Sequence, residues 1–144
     1  MAAVATKRSE RAEFQRVEIQ HLPDERCRVR VTLGRQLGPS LCQTYVGKAE
    51  SAWSPVGELR CAAEAALKAL ERSFGVAEGT FTMLDIKTVE SFDCPAVIVA
   101  IAAVHGNVSQ RLVGFCEVQE DPKLAAAKAA LNGTNRFVAY RLAK

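Results

Sequence analysis

Three arginines at every second position, Arg26, Arg28 and Arg30, with Arg35 nearby, are the first residues of the chain whose type and spacing could do chemistry. A strand turns alternate side chains to opposite faces, so the three form one stripe, and such a stripe can meet phosphate groups. Single-sign charge of this kind also protects an edge strand from pairing with the wrong neighbour. No aromatic cluster accompanies the stripe to stack on bases. Nucleic acid is therefore kept only as an alternative partner, through these arginines.

A second set of candidates surrounds two helix starts. Ser54-Pro55 and Asp121-Pro122 each combine a capping side chain with proline at the first helical position, and each follows a glycine-bearing segment, at Gly47 and Gly114. Free backbone N–H groups at a helix start can hold a carboxylate or phosphate, unless the caps occupy them. Trp53, the single tryptophan, either packs on the first helix start or lines a pocket there. Asn132, Asn135 and Arg136, in the stretch "LNGTNRF", add a polar edge on the second helix. These eight residues, Gly47, Trp53, Ser54, Gly114, Asp121, Asn132, Asn135 and Arg136, are the expected small-molecule contacts.

Catalytic and metal chemistry find no such constellation. Five cysteines (Cys27, Cys42, Cys61, Cys94, Cys116) include no CxxC pair, and they read as reduced, mostly buried thiols. His21 and His105 stand apart from any recognisable nucleophile and acid, and His105 belongs to a His-Gly-Asn turn. We expect no metal, no cofactor and no enzymatic activity.

The elements that would carry these residues follow from periodicity. Residues 1 to 13 lack apolar pattern and read as a loose tail. Strand character begins at Phe14, continues through a second strand with Cys27, Val29, Val31 and Leu33 on one face, and returns in "LCQTYVGKAE". Residues 54 to 74 form a helix, with Val56, Leu59, Ala63, Leu67, Leu70 and Phe74 on its apolar stripe and Gly75 as its stop. Glu58, Arg60, Glu64, Lys68 and Glu71 make its solvated side. Two further strands follow, then "SQRLVGFCEV" and a second helix from 122 to about 142. Glycine inside a helix costs about 1 kcal/mol relative to alanine, which argues for a break at Asn132-Gly133. Ala126, Ala130, Gly133, Phe137 and Tyr140 nevertheless keep a spacing of four, three, four and three, so one helix with a close neighbour at Gly133 is expected.

The 144 residues suit a single domain, placed at 14–144, and 49% apolar with 24% charged residues is the composition of a folded chain. A net charge of +3 gives only weak attraction to polyanions. No apolar run approaches the roughly 20 residues of a membrane helix, and no signal-peptide pattern is present, so a cytoplasmic protein without a membrane partner is expected.

The two halves resemble each other. "YVGKAE" before the first helix answers "LVGFCE" before the second, and "AEAALKAL" answers "AKAALNGT". This implies an α+β fold of two strand-strand-helix repeats, 26–75 and 80–142, making one mainly antiparallel sheet with two helices on one face. Residues 94–104 are apolar on both alternating faces, as in a central strand. With helices on one face only, the other needs a cover, and a second copy of the chain is the simplest.

A glycine-bearing strand, a loop and an alanine-rich helix, repeated and ending in "AAAKAALNGTNRF", resemble the C-terminal regulatory domain of 2-isopropylmalate synthase and citramalate synthase. In that resemblance Lys128, Asn132, Asn135 and Arg136 match the family's Ala-Lys-Ala, Asn-x-x-Asn-Arg pattern. It implies a free-standing, non-catalytic domain that dimerises and either binds a small metabolite or regulates a partner protein. With His21 and His105 as the only histidines of this sequence, the family's catalytic barrel with its metal-binding histidines is not expected here. A structural or interaction subunit without ligand is the alternative.

Overall fold

The computed structural model describes residues 12–142. The tail expected over 1–13 lies almost wholly outside the described residues, and at its end Ala12 is buried and strand β1 begins at Glu13. The order is β1 (Glu13–Leu22), β2 (Arg26–Gly38), β3 (Leu41–Ala52), α1 (Pro55–Phe74), β4 (Phe81–Ser91), β5 (Cys94–His105), β6 (Val108–Glu117) and α2 (Pro122–Phe137). A π-helical turn over Val138–Leu142 extends α2. Two strand-strand-strand-helix units thus follow one another in an α+β fold.

One expectation is corrected by the topology. The strands make two antiparallel sheets, β1-β2-β3 and β4-β5-β6, instead of one. The break falls between β3 and β4, which are separated by α1. Each helix packs on the inner face of its own sheet, against the other helix, and across to the first strand of the other unit, α1 to β4 and α2 to β1. That environment explains the alanines. Ala62, Ala63, Ala65, Ala66 and Ala69 of α1, and Ala125, Ala126, Ala127, Ala129 and Ala130 of α2, are all buried, because neighbours meet each helix on several sides.

Glycine sets how close the layers come. Gly47 on β3 faces α1, and a Cβ there would collide with the Ala65 carbonyl and the Ala69 nitrogen. Gly114 on β6 stands in the same relation to Ala129 and Gly133 of α2. From the other side, a Cβ on Gly133 would lie 2.8 Å from the Gly114 nitrogen and 2.9 Å from its Cα. The helix does run unbroken through Asn132-Gly133, and the glycine serves a backbone-to-backbone contact.

Local signals match the chain's turns. Ser54 accepts from the Gly57 N–H at 2.8 Å, and Gly75 ends α1 in the left-handed region at φ 64°. Gly106 turns the β5-β6 hairpin at φ 62°. Val56, expected on the apolar stripe of α1, is instead exposed, while the next residue of the first turn, Gly57, is the one that is buried.

Candidate functional site

Both helix starts are occupied by their own caps. Asp121 Oδ1 accepts from the Lys123 N–H at 3.0 Å and from Lys123 Nζ at 3.2 Å, and Nζ also reaches Glu58 Oε1 at 3.7 Å. The first turns of α1 and α2 are therefore tied side by side. Trp53 donates its indole N–H to Glu58 Oε2 and tilts against His21 at 6.4 Å between ring centres. It braces the start of α1 and is about half exposed. Ser54, Asp121 and Trp53 thus do structural work at the helix starts, and Gly47 and Gly114 do it at the strand-helix contacts.

The arginine stripe lies on the outer face of β2. Since β2 is the central strand of its sheet, the stripe does not guard an edge. Arg28 is neutralised by Glu50, with Nε and Nη2 at 2.8 and 2.7 Å from Oε2, and it also contacts Gln20 at 3.3 Å. Arg26 is exposed. Arg30 faces Lys48 across the ladder, a like-charge pair, and lines a cleft of about 580 Å³ with Lys48, Lys68, Glu71, Arg72 and Glu78.

The remaining expected contacts come together on α2. Asn132 and Arg136 line a cleft of about 500 Å³ between α2 and β6, with Gln110, Arg111, Tyr140 and Arg141. The Asn132 amide also donates to the Phe115 carbonyl at 2.9 Å, which ties helix to strand. Asn135 points elsewhere, into a smaller cleft with Lys128, Asn132 and Phe14. The Lys128 ammonium sits 5.7 Å from the Phe14 ring. The four residues of the family-like pattern are therefore divided between two neighbouring clefts that share Asn132.

The repeat relates the larger clefts to each other. Gly47 and Gly114 hold equivalent places, as do Ala69 and Gly133, which makes Lys68 and Arg72 the counterparts of Asn132 and Arg136. Both clefts lie beside an edge strand and the second half of its helix. Sequence reasoning found one of them through Asn132 and Arg136 and missed the other, whose cations are scattered over three elements.

The outer faces of the sheets differ. On the first, the Arg28–Glu50 pair, Lys48, Arg30 and Glu18 are polar. On the second, the register aligns Ile98 with Phe115 and Lys87, Ala100 with Val113 and Asp85, Ala102 with Arg111 and Thr82, and Ala96 with Glu117 and Val89. Val113 is 60% exposed, and Leu84, Val104 and Phe115 are nearly half exposed.

The cysteines divide. Cys27 and Cys61 are fully buried, and Cys61 donates to the Ser51 hydroxyl at 3.1 Å, with burial pushing its thiol up from the ordinary value. Cys42 is exposed, and Cys94 and Cys116 are half-buried. Among the described residues no three His, Cys, Asp or Glu side chains converge as a metal site, and no helix is long and apolar enough to cross a membrane. No family model matches the chain, and no curated protein matches it.

Proposed function

We propose that the protein is a non-catalytic regulatory-type domain that pairs with a second copy through the outer face of β4-β5-β6 and binds a small molecule in the α2–β6 cleft. The observation that carries the reading is the apolar outer face on which Val104, Val113 and Phe115 lie exposed around the half-buried Ile98 and the buried Ala100. Three strands about 4.8 Å apart and some ten residues long at about 3.3 Å each offer roughly 500 Å² in projection. Side-chain relief brings that toward the roughly 800 Å² per partner of a standard interface.

The charges at the rim favour a copy of the same chain. A two-fold axis perpendicular to the strands, between the Ile98 and Ala100 rows, sets Lys87 opposite the Asp85 position of the second copy and Glu117 opposite Arg111. The same operation sets Ile98 over Ala100 and Phe115 over Val113, large against small. Both polar and apolar groups are thereby complemented by one symmetry operation.

The α2–β6 cleft holds Arg111, Arg136 and Arg141 with no acidic residue, so its ligand carries a carboxylate or a comparable anion. The resemblance to synthase regulatory domains supports an amino acid. If none binds, the reading becomes that of a structural subunit that assembles by the same face. The pairing of Arg28 with Glu50 removes much of what the arginine stripe could offer to nucleic acid.

Sedimentation equilibrium tests the pairing. The intact chain is expected as a dimer at micromolar concentration, and Val113→Glu with Phe115→Glu as a folded monomer; a monomeric wild type defeats the proposal. Thermal shift with branched-chain amino acids tests the ligand, since 100-fold saturation adds about 2.7 kcal/mol. No shift in wild type leaves only the structural subunit.

A further inference from the structure

The second large cleft, between β3 and the latter half of α1, has features that the dimer and the α2–β6 cleft do not use. Four cations line it, Arg30 from β2, Lys48 from β3, and Lys68 and Arg72 from α1. Among the described residues none of the four has a salt-bridge partner. Two acids also line it, but Glu71 is buried and its Oε2 accepts from the Gly79 and Phe81 N–H groups at 3.1 and 2.9 Å. That carboxylate is directed to the backbone of the turn that leads into β4. Glu78 is left against four positive charges.

Arg30 and Lys48 make the case specific. They are direct cross-strand partners on one face of an antiparallel pair, where like charges repel. Two residues along the same strand, Arg28 is matched with Glu50 of β3, and the two are ion-paired at 2.7 Å. On its other side Arg30 faces Glu18 of β1, but that carboxylate pairs with Arg16 at 3.7 Å and the face keeps an excess of positive charge. In the second unit the equivalent of the Arg30–Lys48 pair is Ile98 and Phe115, so the excess does not come from the repeat. An anion in the cleft would relieve the repulsion and meet two guanidinium forks and two ammonium groups at once.

We infer that this cleft binds a small phosphorylated metabolite carrying two or more negative charges. Its volume of about 580 Å³ exceeds the needs of a lone ion and falls in the range of small-molecule sites. Its apolar lining is Val46 and Val76, with no aromatic ring to stack on a base. The ligand is therefore a compact phosphate ester without a nucleobase. The inference is independent of the dimer and of the α2–β6 cleft.

Inorganic pyrophosphate is the probe, titrated into the full chain by calorimetry at constant ionic strength. Saturable 1:1 binding per chain is expected. Arg30→Gln with Arg72→Gln should weaken it at least tenfold, while Arg26→Gln, on the same strand but outside the cleft, should leave it within a factor of two. Lys48→Glu should abolish binding and at the same time raise the melting temperature of the ligand-free chain, because it removes the Arg30 repulsion. The inference is overturned if wild type shows no saturable binding, if Arg26→Gln weakens binding as much as the cleft variants do, or if Lys48→Glu lowers the ligand-free melting temperature.

Discussion

Glu71 shows what a single residue can gain from a neighbour distant in sequence. Its helical spacing assigns it to the polar side of α1 with Lys68, yet it is buried, because the turn into β4 folds back over the helix end and presents the Gly79 and Phe81 N–H groups to it. No local pattern encodes that return. Burial raises its carboxyl pKa, against the lowering effect of the Phe81 and Gly79 N–H groups and Lys68, while Glu78 adds to the rise. The folded chain therefore holds this proton more tightly than the unfolded chain does. The contribution of Glu71 is fully favourable below the ordinary carboxyl range and declines as pH rises through the elevated value. Denaturation across pH 4 to 7 should show a decline with rising pH in wild type that is smaller in Glu71→Gln; equal profiles would contradict the assignment. Thr32 offers a second check at this scale. Its hydroxyl is the one buried side-chain polar atom without a hydrogen-bond partner among the described residues. Replacing it by the isosteric valine should stabilise the fold by about 1 kcal/mol, read as a melting temperature some 2–4 °C higher.

At the level of elements, the strand-helix contacts depend on three glycines. Alanine within a helix ordinarily stabilises by about 1 kcal/mol relative to glycine. Gly133→Ala should do the reverse and cost about 2 kcal/mol or more, since its Cβ would press on the Gly114 backbone. Gly47→Ala and Gly114→Ala should cost at least as much in urea denaturation, because helix backbone cannot yield as a side-chain tip can. The caps, the turns, the six strands and the continuity of α2 were legible from spacing and turn chemistry. The apolar stripe through Phe137 was enough to overrule the Asn-Gly signal. The division into two sheets was not legible, because strand periodicity gives the face of each residue but not which edges meet. The alanine content of the helices held a hint: helices buried on several sides need small residues all round, whereas helices on one face of one sheet need only a stripe.

For the whole molecule, the repeat produces two similar units whose surfaces have diverged. The outer face of the first sheet carries charge and internal ion pairing, and that of the second is apolar at its centre with charges of both signs at its rim. The apolar character of β5 on both faces was readable from sequence, and its central position explains the inner half of that pattern. The α2–β6 cleft was readable in part, through Asn132 and Arg136, whereas the cations of the α1–β3 cleft come together only on folding. Pairing of the apolar outer face with a second copy is the central claim, and reversal of charge at its rim tests it most directly. Dimer dissociation constants would be measured by sedimentation for wild type, Arg111→Glu, Glu117→Arg and the chain carrying both changes. Each single reversal should weaken the dimer at least tenfold, about 1.4 kcal/mol, and the double reversal should restore it to within a few-fold of wild type. A wild-type chain that remains monomeric, or a double reversal that is weaker than either single one, would contradict the two-fold arrangement.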